Sequence, residues 1–256
     1  MQTVLYDGSF EGWLCAVFDV YDYKFDEVTI CTPQNFRGNI FEKVHTVHFS
    51  EEHRDRVWKG LQKKLSADAL QALYRAFLSE EAGIETTLLQ YVQYAFRSAV
   101  SMESDFSHPA VLALTGAAKL VWKEKHRMEA FVRFQKTGDG LYYALIEPNC
   151  NVLPLIAPHF AARYADQHWL IYDGKRRYGL HYDGQEVQQV EVAFSETSGN
   201  GKYPAPLYDE TEELYQQLWR QYFKSVNIAA RKNTSLQLRH MPRHYWKYLT
   251  EKNGNR

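Results

Sequence analysis

Cysteine is scarce in this chain and poorly spaced for holding a cofactor. Cys15, Cys31 and Cys150 are an odd number of thiols, and no two of them form C-x-x-C. No zinc ribbon or iron–sulfur cluster can be assembled from these cysteines alone, and no disulfide framework is suggested. H-E-x-x-H is absent. His240 and His244 stand at i, i+4, but Pro242 lies between them and no acid accompanies them, so no metal or other cofactor is expected. His45 and His48 would face opposite sides of a strand and cannot chelate together. G-x-S-x-G, the Walker loop and G-x-G-x-x-G are all missing, which removes the sequence basis for a serine-hydrolase elbow or a glycine-rich phosphate cradle. The start, MQTVLYDGSFEG, has no basic region followed by an apolar run and does not read as a signal peptide. No apolar run approaches membrane-spanning length. A cytoplasmic setting is the expectation.

Acid is missing from one place in particular. Arg220 to Arg256 contains nine Lys or Arg and a single carboxylate, Glu251, a local charge of +8. The whole chain carries −1, so the first 219 residues sum to −9. Aromatic residues interleave with these cations: Trp219, Tyr222, Phe223, Tyr245, Trp246 and Tyr248. Phosphates attract the cations, and unstacked bases fit the ring faces. The alternative is a terminal helix that docks its rings in a core and leaves a solvated basic rim. With 45% hydrophobic and 15% aromatic residues in 256, the chain can bury a substantial core.

The hydrophobic period divides the chain. Thr3–Tyr6 reads as a strand broken at Asp7-Gly8, and a helix capped by Ser9 follows, with Phe10, Trp13, Leu14, Val17, Phe18 and Tyr21 on one stripe. Val28–Thr32 and Val44–Phe49 read as strands. From Glu51 to about Lys125 the helical period dominates, with Pro109 early in the last helix. At Arg127 the period shortens to two: Met128, Ala130, Val132 and Phe134 alternate with Arg127, Glu129, Phe131 and Arg133. Gly138-Asp139-Gly140 marks a hairpin into Leu141–Ile146. Pro154–Tyr164 predicts a short helix, and Trp169–Tyr172, Tyr178–Tyr182 and Val187–Phe194 predict strands joined at Asp173-Gly174 and Asp183-Gly184. Asp209 and Glu212 have capping-box spacing before a last long helix carrying Leu214, Leu218 and Tyr222. The fold class is therefore α+β: a helical layer packed on a mostly antiparallel sheet, with a C-terminal helix and basic tail. A mixed domain over 1–195 and a helical basic segment over 209–256, packed on that domain, are the expected parts.

Two sets of candidate residues emerge. Arg220, Lys224, Asn227, Arg231, Lys232, Asn233, Arg239, His240, Arg243 and Lys247 offer phosphate and base-edge donors, and Tyr245 or Trp246 offers a ring face. Weaker catalytic candidates are His126, at the entrance of the expected strand, His159 after Pro158, and Glu147 and Asp173 at successive strand ends, where turn carboxylates bonding nearby backbone are the plainer reading.

Several stretches resemble a bacterial family of uncharacterised DNA-metabolism proteins. They are LYDGSFEGWLCAVFDVY, KLSADALQALYRAFLSE, KEKHRMEAFVRF, VLPLIAPHFAARYADQHWLIYD and, most specifically, LWRQYFKSVNIAARKNTSLQLRHMPRHYWKYLTE. The resemblance spans nearly the full length. It implies association with a radical-SAM DNA modification or repair protein. A related region precedes a uracil-DNA-glycosylase-like domain in fused forms, and this chain is similar to the free-standing form. Three readings follow: a nucleic-acid-binding accessory of a radical-SAM partner, an enzyme acting on a nucleobase or nucleotide, or a protein–protein adaptor.

Overall fold

A computed structural model of the chain describes residues 2–38, 43–191, 209–225 and 234–252, with backbone alone at 223–225 and 234. The chain divides into two compact units, 1–122 and 123–256. The boundary falls inside a helix.

The N-terminal unit begins β1 (Gln2–Leu5), α1 (Phe10–Asp22), β2 (Val28–Cys31) and β3 (Lys43–Thr46). The three strands form an all-parallel sheet in the order β2-β1-β3. Helices α2 (Glu51–Lys64), α3 (Ala67–Phe77), α4 (Ile84–Arg97) and α5 (Pro109–Phe131) follow. Ser9, Ser50 and Ser66 each accept a backbone N–H at the start of α1, α2 and α3, the role expected of a short hydroxyl before a helix. The helical stripes close one core with the parallel sheet: Val4 and Ile30 share a buried cluster with Trp13, Leu61, Leu73, Leu88 and Val111. Within this unit the sheet that these helices cover is the parallel one formed by β1, β2 and β3.

Helix α5 corrects the sequence reading at Arg127. The segment 127–131 is helical, not extended, and the strand period begins only at Gln135. An alternation over eight residues, with Phe131 on the polar side, cannot separate a strand from a helix when Val121, Met128 and Val132 also lie at helical spacing. Lys125 pairs with Glu129 at i, i+4, and Arg127 with Glu124 and His126 with Glu129 at i, i±3, so the charges favour the helix as well. Arg127 and Glu129 therefore stand on a helix and do not share one face of a strand.

The C-terminal unit holds a five-stranded sheet in sequence order: β4 (Gln135–Lys136), β5 (Tyr142–Ile146), β6 (Trp169–Asp173), β7 (Tyr178–Tyr182) and β8 (Val187–Val190). Three pairings are antiparallel, so the sheet is mostly so. The fourth, β5 with β6, is parallel, because α6 (Leu153–Arg163) carries the chain back between them. Gly140, at φ +88°, closes the β4–β5 hairpin. Helix α7 (Glu212–Ser225), α8 (Thr234–His240) and a 3-10 helix (Arg243–Tyr248) complete the unit. The capping box before α7 does not close. Asp209 accepts from Thr211 N, but the Glu212 carboxylate accepts from Lys136 N on β4, at 3.0 Å, instead of reaching back. Tertiary pairing outcompetes the local cap and ties α7 to the sheet.

Candidate nucleic-acid interface

The parallel pairing sets Ile146 opposite Asp173 and so brings two carboxyl strand ends side by side. Crevices outside the carboxyl ends of parallel strands are frequent ligand sites in open sheets. Here the loop after β5, residues 147–152, and the turn after β6, residues 174–177, share that edge. The 3-10 helix Arg243–Tyr248 is bonded to the first of them. Asn149 Nδ2 lies 3.3 Å from the Tyr245 hydroxyl and 3.4 Å from His244 Nε2, and Lys247 pairs with Glu147.

Glu124 holds this arrangement from behind. It is 2% exposed on α5 and accepts from Asn149 N at 2.7 Å, from the Tyr245 hydroxyl and from Arg127 at 3.4 Å. One buried carboxylate thus joins a helix, a loop and the 3-10 helix, through hydrogen bonds that charge strengthens. Burial, then the bond to Glu124, drives the Tyr245 phenol pKa well above its ordinary value. Tyr245 is 1% exposed. It is an internal anchor and presents no ring to a base.

Asp173 does similar work on the turn. It is fully buried, accepts from Lys175 N and Arg176 N, and pairs with Arg176 Nη1 at 2.8 Å. Burial raises its pKa, against the Arg176 contact. Arg176 in turn donates to the carbonyls of Pro148 and Asn149, and Lys175 Nζ donates to Asn149 O at 3.1 Å. Asp173 is thus a turn carboxylate, and Glu147 is engaged by Lys247. His126 and His159 lie elsewhere, both on Glu129, at 3.3 and 3.8 Å.

The anchoring groups lie inside and the cations outside. Lys175, Arg177, Arg239, His240, Arg243 and Lys247 are exposed. His244 is exposed too, but loss of solvent about its ring lowers its pKa and favours the neutral ring; Glu124 pulls the other way, and Arg127 and Lys247 add to the lowering. Trp246 is partly covered: its indole N–H donates to Met241 O at 3.0 Å, and the Lys252 ammonium lies 5.0 Å from its ring centroid. Arg220 turns back along α7 to Gln216. Lys224 lies in the last turn of α7, described by its backbone alone. Asn227, Arg231, Lys232 and Asn233 fall outside the described residues.

Sequence reasoning missed Lys175 and Arg177. The signal was available: Lys175-Arg176-Arg177 are three consecutive cations in a β-turn. Their importance depends on the parallel pairing, which sets that turn beside Asn149. Among the described residues, no group of three or more His, Cys, Asp or Glu side chains could hold a metal ion, and no helix is long and apolar enough to cross a membrane.

The model of a family described as a domain of unknown function, DUF4130, matches residues 82–251. No match is found among curated proteins. Among solved structures, a pGpG-specific phosphodiesterase, PggH, from Vibrio cholerae aligns with 88% of this chain and 99% of its own, at 10% identity and a TM-score of 0.36.

Proposed function

We propose a function for this protein, which belongs to the DUF4130 family: it is a nucleic-acid-binding accessory protein in DNA repair or modification, working with a radical-SAM partner enzyme. The observation that carries the reading is the division of labour in the C-terminal unit. Buried Glu124 and Asp173 fix the loops, while the side chains of Lys175, Arg177, Arg239 and Arg243 are exposed. Like cations brought together repel one another unless a polyanion or an acidic partner neutralises them. The resemblance to DNA-metabolism proteins supplies the context, and in this reading the cluster-binding cysteines and radical chemistry belong to the partner.

Binding of a fluorescent single-stranded DNA measured against salt tests the proposal. Each phosphate-contacting cation removed lowers the slope of log affinity against log salt by roughly one unit. Arg239→Ala/Arg243→Ala is expected to remain folded and to lose about two such units. A folded double variant that binds as tightly as wild type, with an unchanged slope, removes this reading. A second reading, an enzyme acting on a nucleotide, draws on the convergence of His126 and His159 on Glu129. Loss of turnover in Glu129→Gln with DNA affinity retained would favour it.

A further inference from the structure

The C-terminal unit contains a cleft of about 930 Å³, separate in its lining from the strand-end interface and bounded by α5, β4, α6 and α7. That volume lies at the upper end of small-molecule sites. One wall is a packed set of rings: Phe134 meets Phe160 and Tyr164 edge-on at 5.6 and 5.3 Å, and Phe160 is buried. Facing residues on α7 are Tyr215 and Trp219, one helical turn apart, 60% and 39% exposed. Rings this exposed at a cleft can take a flat partner.

The polar groups of the cleft are ordered in advance. Glu251, with a side chain 1% exposed, accepts from Arg133 at 2.9 Å and from the Trp219 indole N–H at 2.9 Å, and the Arg133 guanidinium lies 5.6 Å from the Trp219 ring centroid. The carboxylates that line the cleft are already engaged. Glu212 accepts from Lys136 N and Gln216, and Glu129 is met by Lys125, His126 and His159. Arg163 differs. It is exposed at the cleft, lies 5.8 Å from the Tyr164 ring centroid, and forms no ion pair with a carboxylate among the described residues.

We infer that this cleft binds a single nucleotide unit, with its base against Trp219 and Tyr215 and its phosphate on Arg163. Open rings supply stacking that tolerates any base, and a guanidinium without an acidic partner supplies the phosphate contact. Arg133 and Trp219 are held by Glu251 before the ligand arrives, so little side-chain freedom is lost on binding. The inference does not rest on the strand-end interface: it holds for a free mononucleotide or for one unstacked nucleotide of a strand.

Calorimetric titration of the full chain with the four deoxynucleoside monophosphates, the four deoxynucleosides and inorganic phosphate tests it. Saturable binding of one monophosphate per chain is expected, with nucleoside and phosphate each at least about tenfold weaker. Arg163→Ala is expected to reduce monophosphate affinity to that of the nucleoside and to leave nucleoside affinity unchanged. Trp219→Ala weakens both by about tenfold or more, and Trp219→Phe restores part of the loss. Arg239→Ala/Arg243→Ala leaves all these affinities unchanged, so failure here and failure of the strand-end reading are separately visible. Absence of saturable monophosphate binding to millimolar concentration, or an Arg163→Ala protein that binds as wild type does, overturns the inference.

Discussion

In the N-terminal unit the buried polar side chains among the described residues are Thr3, Asp19 and Ser79, one carboxylate in three; in the C-terminal unit they are Glu124, Thr137, Asp173 and Glu212, three in four. Asp19 contacts two histidine side chains, His45 at 2.7 Å and His53 at 3.8 Å. Each C-terminal carboxylate instead accepts a backbone N–H from another segment or turn: Asn149 for Glu124, Lys175 and Arg176 for Asp173, Lys136 for Glu212. The first unit is organised by helices packing hydrocarbon on a sheet. The second ties loops and a strand end together through buried carboxylates, which accept backbone N–H groups as apolar side chains cannot.

The sharpest test of that contrast is removal of Glu124. Glu124→Ala leaves the Asn149 N–H, the Tyr245 hydroxyl and Arg127 without their acceptor, and about 3–5 kcal/mol of stability is expected to be lost by chemical denaturation. Leu88→Ala in the N-terminal core is expected to lose about 2–5 kcal/mol, by cavity formation. The two variants separate by the state of the interface. At temperatures where both stay folded, Glu124→Ala alone should show faster amide exchange at residues 147–151. Equal exchange there in the two variants would break the comparison.

A smaller effect is expected at Glu251, and it depends on pH. Burial raises this carboxyl, but bonds from Arg133, its own backbone and Trp219 outweigh burial and leave its folded pKa below the ordinary 4.5. The unfolded chain therefore binds the proton first. Its stabilisation is fully present above pH 4.5 and is lost as the pH falls through the lower folded value. Glu251→Gln should cost about 1–3 kcal/mol at pH 7 and flatten this part of the acid limb of a plot of Tm against pH. An acid limb identical to wild type would separate Glu251 from the anchoring set.

The smallest stability change is expected outside. Lys175→Ala/Arg177→Ala touches exposed side chains and should stay within about 0.5 kcal/mol per substitution of wild type. The same variant should lower the salt slope of single-stranded DNA binding by roughly two units. Loss of stability with an unchanged slope would place these cations among the structural groups.

Much of the fold was legible because it repeats. The stripe from Phe10 to Tyr21 behind Ser9, the Gly138-Asp139-Gly140 turn and the strands Trp169–Tyr172 and Tyr178–Tyr182 are local patterns, and the structure has an element at each. The misread segment, 127–131, is one where two periods fit equally well over a few residues. The site was less legible. Tyr245 stood beside cations in the sequence and lies buried on Glu124, a residue 121 positions away that no local pattern singled out.

The amino-acid sequence alone determined most of the helices and strands, 127–131 excepted, and that positive charge gathers near the end of the chain, because period and charge are properties of neighbouring residues. Tertiary structure decided which cations of the C-terminal unit face solvent. Arg133 and Arg176 face buried carboxylates, whereas Lys175, Arg177, Arg239 and Arg243 remain exposed. That sorting depends on burial: a carboxylate withdrawn from water must be met by a donor, and the cation that meets it is set by the packing of distant segments.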